Sequence, residues 1–253
     1  MSVLLETRNV TKTFGELRAL EDVNVSIAAG ELVCVIGPNG AGKTTLVNLL
    51  TGLLRPTTGD VLFMGRSIAG MGPVKLADRG LARSFQLIAI FPQLTVKETI
   101  GTALVSRQKK RWRLFSRLAA DEEIADRVRE VAQIFGLDHR LETTAAALSQ
   151  GEKKLLDVAS AFALNPHVIL LDEPTSGVST ADKHAIMDIL ITAGRKAGVK
   201  GMVLVEHDMD LVAAYSSRII ALAGGKVLAD LSPDRFFADA ALIEAVVGKR
   251  RSH

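Results

Sequence analysis

The spacing of apolar residues changes along the chain, and each change predicts an element. Leu4 to Val10 and Val23 to Ile27 alternate apolar and polar positions around a turn at Phe14-Gly15-Glu16, as strands with one exposed face do. A small antiparallel sheet is therefore expected ahead of the main core. The run Glu31 to Ile36 is nearly continuous in apolar residues and reads as a buried strand, with Thr45 to Leu50 opening a helix. Turn residues at Thr51-Gly52 and from Arg55 to Gly59 precede a short strand at Asp60 to Phe63. Pro73 suits the first turn of a short helix ending near Gly80, and Leu81 to Phe85 reads as a strand with Gln86 at its end.

From Thr95 the period becomes helical. Thr95 to Ser106 is one helix, and Asp121 to Phe135 is an amphipathic one closed by Gly136. A third begins at Ser149-Gln150-Gly151-Glu152, where Ser149 caps the helix and Glu152 completes a capping box. The strand pattern returns at His167 to Leu171, ending in Asp172-Glu173-Pro174. Helix Thr180 to Ala197, strand Gly201 to Val205, a strand pair at Arg218 to Leu222 and Lys226 to Asp230, and short helices after Pro233 complete the chain. Alternating strands and helices imply a largely parallel sheet with ligands at the carboxyl ends of its strands, where Gln86, Asp172 and His207 fall. One domain of 1–253 is expected, with a nucleotide-binding core over 1–86 and 158–235, a helical subdomain over 87–157 and a helical tail over 236–253.

The candidate chemistry starts at Gly37-Pro38-Asn39-Gly40-Ala41-Gly42-Lys43-Thr44, which fits the phosphate-binding spacing of two glycines followed by lysine and a hydroxyl, set between a strand and a helix. Glycines allow close backbone approach, helix-start amides and Lys43 supply positive charge, and Thr44 is placed for Mg²⁺. The loop reads as the floor of an ATP site, with Thr45 beside it. Asp172 can hold Mg²⁺ and Glu173 can orient and deprotonate an attacking water.

Composition narrows the partners. The chain has 253 residues, 48% of them hydrophobic, enough for a sizeable core. It shows no apolar stretch of membrane-spanning length and no secretory core at its start, so a cytoplasmic chain is expected. The single cysteine, Cys34, falls in a predicted strand and reads as a buried structural thiol. Six basic residues between Arg107 and Arg117, without an acid, turn what would be a charge of −3 into the overall +3. This local cluster, with an aromatic content of 4%, argues against nucleic acid as a partner. Trp112 and Phe115 within it suit either lipid headgroups and acidic membrane-protein loops or a solvated helix surface.

Leu148-Ser149-Gln150-Gly151-Glu152, a short way before Asp172, resembles the signature sequence of the ATP-binding subunits of ABC transporters, and the resemblance extends from about Leu5 to Val247. It implies an α/β fold: a phosphate-loop ABC-type ATPase with a mainly parallel core sheet, an N-terminal antiparallel β subdomain and an inserted helical subdomain. It also implies residue roles. Phe14 would stack on adenine, the competing reading being a turn aromatic packed on the small sheet. Gln86 would sense Mg²⁺ and the attacking water, and His207 would contact the γ-phosphate. Ser149 and Gly151, with Glu152, would cover the ATP held by a second subunit. Two stretches depart from the common family form: the signature, at Gln150 and Glu152, and the loop after the acidic pair, at Ser179.

Arg83-Ser84-Phe85-Gln86, Arg113 to Arg117 and Glu206-His207-Asp208-Met209 together look like the ATPases of branched-chain amino acid importers. The implied partners are a second ATPase subunit, identical or related, and membrane permease subunits, with an extracytoplasmic solute-binding protein reached indirectly. The chain would then lie on the inner face of the membrane through its permease. An exporter ATPase, such as that of a lipopolysaccharide export system, or a soluble non-transport ABC ATPase are the alternatives. A GTPase or small-molecule kinase would leave the signature and His207 unexplained.

Overall fold

The structure is a computed structural model and describes residues 2–84, 91–107 and 122–247. In chain order the elements begin with β1 (Val3–Phe14), β2 (Leu17–Ala28), β3 (Leu32–Ile36), α1 (Lys43–Leu50), β4 (Thr58–Phe63), β5 (Arg66–Ser67) and α2 (Pro73–Asp78). They continue with β6 (Leu81–Arg83), α3 (Val96–Arg107), α4 (Glu122–Ile134), α5 (Gln150–Ala163), β7 (Val168–Asp172) and α6 (Thr180–Lys196). The last are β8 (Gly201–Val205), α7 (Met209–Tyr215), β9 (Arg218–Ala223), β10 (Lys226–Leu231), α8 (Pro233–Phe237) and α9 (Ala240–Val247). They fall into two compact units, one of Met1–Leu76, Leu170–Glu173 and Lys200–His253, the other of Ala77–Ile169 and Pro174–Val199.

The first unit contains two sheets. β1 forms antiparallel pairs with β2 and β4, in the order β2-β1-β4-β5. Alternation decides its buried face along β2, where Val23, Val25 and Ile27 are buried with the polar Asn24 and Ser26 between them. Both strands run to the Phe14↔Leu17 pair, further than alternation alone predicts, because register shifts after Thr7 and Val10 restart the ladder. At that break the Asn9 main-chain N–H donates to Asn24 Oδ1 at 2.7 Å, so the backbone stays satisfied.

In the core sheet β3 lies between β8 and β9, parallel to both, with β10 antiparallel on β9 and β7 on the other side of β8. β3 and β8 are apolar on both faces, as strands covered on two sides must be. The carboxyl ends of β3, β7 and β8 carry the glycine loop, Asp172-Glu173 and Glu206-His207, and the Glu173 N–H donates to Val205 O at 3.0 Å. α1 buries Leu46, Val47, Leu49 and Leu50, each contributing on the order of 1.5–3 kcal/mol by leaving water.

The second unit is mainly helical. α4 buries Ile124, Val128, Val131 and Ala132, a single stripe at helical spacing, and Phe135 meets Phe162 edge-on at 5.2 Å. Beside these helices β6 meets the start of β7, where the N–H groups of His167 and Val168 both donate to Gly80 O. Gly136, at φ 67°, closes the turn after α4 as expected. Phe85, Gln86, Asp121 and the basic stretch beyond Arg107, with Trp112 and Phe115, lie outside the described residues.

Candidate functional site

The glycine loop is held tightly by its own unit. A β-carbon on Gly37 would lie 2.3 Å from Leu222 O, and one on Gly42 would lie 2.6 Å from Leu20 Cδ2 and 2.7 Å from Ala19 O. Both glycines have left-handed φ values, 153° and 101°. Backbone from β2 and β9 therefore grips the loop where only hydrogen fits. Ala41 is buried between them, and its carbonyl accepts the Gly225 N–H at 3.2 Å. Pro38, Asn39 and Gly40 form the outer arc, and Gly40 faces open space.

Lys43 is buried at the first position of α1, where its Nζ donates to Gly37 O at 2.7 Å and Pro38 O at 3.0 Å. Burial lowers the Lys43 pKa, and the charges of Glu173 and Asp172 oppose that shift. Two carboxylates thus share the electrostatic field of the loop lysine. Thr44 is exposed on the same turn and Thr45 half-buried. The first N–H groups of a helix have no partner within it, so this end offers donors to an anion.

Asp172 ends β7, and Glu173 follows in a left-handed conformation, φ 49°. That conformation is uncommon for a residue with a side chain and is often found at functional positions. Glu173 Oε1 lies 2.8 Å from His207 Nε2, and both side chains are more than two-fifths exposed. Sequence reasoning gave the two residues separate roles and missed this contact. They stand 34 positions apart, and only adjacency of β7 and β8 in the sheet brings them together. The hydroxyl of Thr44 and the carboxylate of Asp172 are hard oxygen donors, chemically suited to Mg²⁺ alongside phosphate oxygens. Gln86 lies outside the described residues. Phe14, 45% exposed, sits at the end of β1 with Lys12 Nζ 5.0 Å above its ring.

The signature residues are organised differently. Ser149 is the N-cap of α5: its Oγ accepts the Glu152 N–H at 3.2 Å, while Glu152 Oε2 accepts the Ser149 N–H at 2.8 Å. This is the capping box expected. Glu152 Oε1 also accepts from Arg140 Nε at 3.0 Å, and the Ser149 backbone N–H leads the contacts that lower the Glu152 pKa. The Glu152 carboxylate therefore faces its own helix start and Arg140. Gly151 is half-buried, with room for a β-carbon 3.7 Å from Ile186 Cδ1. Ser179, a departure from the common family form, caps α6 by accepting the Asp182 N–H and donating to Asp182 Oδ2.

Glycine loop, buried lysine and acidic strand end together define a phosphate-loop nucleotide-binding protein. Comparison with known proteins places it more closely. Residues 20–176 match the ABC transporter family. The chain is 31% identical to the probable branched-chain amino acid transport ATP-binding protein LivG of Archaeoglobus fulgidus, over 98% of this chain and 97% of that one. It is similar to a crystal structure of an ATP-binding cassette of an ABC transporter in its ADP conformation, with TM-score 0.86, 28% identity, and coverage of 98% and 100% of the two chains. A dimeric post-hydrolysis cassette bound to ADP and phosphate matches with TM-score 0.76 and 28% identity, over 91% of this chain and 99% of that one. The chain belongs to the ABC transporter ATP-binding subunits, which bind and hydrolyse ATP. No helix among the described residues is long and apolar enough to cross a membrane.

Proposed function

We propose that this chain powers solute import through a separate membrane permease, the solute being a branched-chain amino acid or a related small molecule. The observation that carries the proposal is the LivG relative, aligned over nearly the whole of both chains. Glu206-His207-Asp208-Met209 and Arg83-Ser84 support the same reading. An extracytoplasmic binding protein would deliver the solute, and the chain would sit on the inner membrane face through its permease.

In this mechanism the loop amides and Lys43 bind the phosphates of ATP, and Phe14 receives the adenine. Thr44, Asp172 and Gln86 would hold Mg²⁺, which when bound neutralises charge on the phosphate oxygens. Glu173 accepts the proton of the attacking water. His207 Nε2 donates to Glu173 Oε1 and holds that carboxylate in place. Ser149 and Gly151 from a second subunit complete the site, so two chains related by a two-fold axis would form two composite sites. ATP then closes the dimer, and departure of phosphate reopens it.

Affinity capture of the tagged full chain from detergent-solubilised membranes tests the transport assignment. A copurifying importer permease, with ATPase activity stimulated by a solute-loaded binding protein, is the expected result. Recovery of an export permease, or of ribosomal or DNA-repair components alone, would contradict it.

A further inference from the structure

Among the described residues two charged side chains are buried, Lys43 and Glu206. Lys43 belongs to the phosphate loop. Glu206 extends β8, whose five residues are all buried, so an apolar side chain would satisfy the packing there without the penalty of dehydrating a carboxylate. A carboxylate retained at such a position implies work for its oxygens. Oε2 accepts the main-chain N–H of His207 at 3.2 Å. The group also lies close to Cys34 of β3: burial first, and then the Glu206 charge, push that thiol up to about 12.

His207 faces the other way. Its side chain is 44% exposed and reaches Glu173 through Nε2. Packing orients so open a ring only weakly, and its reach to Glu173 depends on where the main chain of 206–208 is held. That main chain is anchored on both sides of the histidine. Glu206 takes the His207 N–H, and Asp208 caps α7 by accepting from the N–H groups of Asp210 and Leu211.

We infer that Glu206 is a positioning residue for ATP hydrolysis, its buried carboxylate fixing the His207 main chain so that the imidazole stays in register with Glu173. The inference rests on the role proposed above for His207. Small displacements of a group that orients a base are sufficient to slow a reaction by an order of magnitude or more.

A variant cycle on the full chain tests it. Glu206→Met keeps the volume and removes the acceptor; it should lower kcat about tenfold and leave KM for ATP within about twofold. Glu206→Gln, whose amide oxygen accepts the same N–H, should recover most of that loss. In a His207→Ala background Glu206→Met should have no further effect. Equal losses in both backgrounds would overturn the inference, as would a Gln variant as slow as the Met variant. A Met variant unable to fold would also count against it, because the carboxylate would then serve the fold itself. A His207→Ala chain with parental turnover would instead remove the role of His207, a separate failure.

Discussion

The two stretches we propose to bind phosphate are built on different principles. Gly37 to Thr44 is an exception to ordinary backbone rules, with two left-handed glycines pressed against carbonyl oxygens and a lysine buried over the loop. Ser149 to Glu152 is an ordinary helix start with a reciprocal cap. The first is shaped by the fold around it and has no room for an added atom at Gly37 or Gly42. The second needs only a serine cap and a glutamate three residues on. A site whose demanding half is rigid and whose simpler half is presented outward suits assembly from two chains.

The difference can be probed from its strongest consequence downward. Glu173→Gln should reduce steady-state hydrolysis by about 10²–10⁴-fold while a fluorescent ATP analogue still binds, because the loop is untouched and the proton acceptor is gone. Next, Gly37→Ala should abolish ATP binding and lower unfolding free energy by roughly 3 kcal/mol, since its β-carbon meets Leu222 O at 2.3 Å. Gly40→Ala, in open space at φ 80°, should cost only about 1 kcal/mol. Denaturant titration of the two variants side by side measures the grip of β9, and equal losses would show that backbone conformation alone matters.

On the other stretch the expected effects are smaller. Ser149→Ala should lower stability by about 1 kcal/mol through loss of the cap, slow hydrolysis, and leave ATP affinity of the separate chain unchanged. Weakened nucleotide binding in that variant would erase the contrast. The smallest effect is one of pH. The folded Glu152 pKa is lowered, so its contribution is complete above the ordinary carboxylate value and disappears as pH falls through the folded one. Thermal melts of Glu152→Gln should therefore show their deficit at neutral pH and converge with the parent in acid.

Much of this was legible in the sequence because it is local. The strand before the loop, the helix after it and the Ser149–Glu152 box each follow from residues within a few positions of one another. β8 was read to the residue for the same reason, since Gly201 and the polar Glu206 bracket an apolar run. What escaped depends on neighbours distant in sequence. Nothing in the composition of Glu206-His207-Asp208 says that the first acid turns inward and the histidine outward to Glu173; the strand register of β8 against β3 decides it. The grip on Gly37 and Gly42 was likewise invisible, because the atoms responsible belong to Leu222, Ala19 and Leu20. Ser179, conspicuous as a departure from the family form, proved to have a simple local use as a cap.

The central claim is that each ATP site needs the phosphate loop of one chain and the signature of another. Mixing two purified variants, one carrying Lys43→Ala and the other Gly151→Asp, tests it most directly. Each variant alone should be inactive, whereas the mixed dimer contains one site with both halves intact. With random pairing, half the dimers are mixed and hold one working site of two, so hydrolysis should return to about a quarter of the parental rate. Mixed dimers verified by differential tags that remain as inactive as their parents would contradict the composite site.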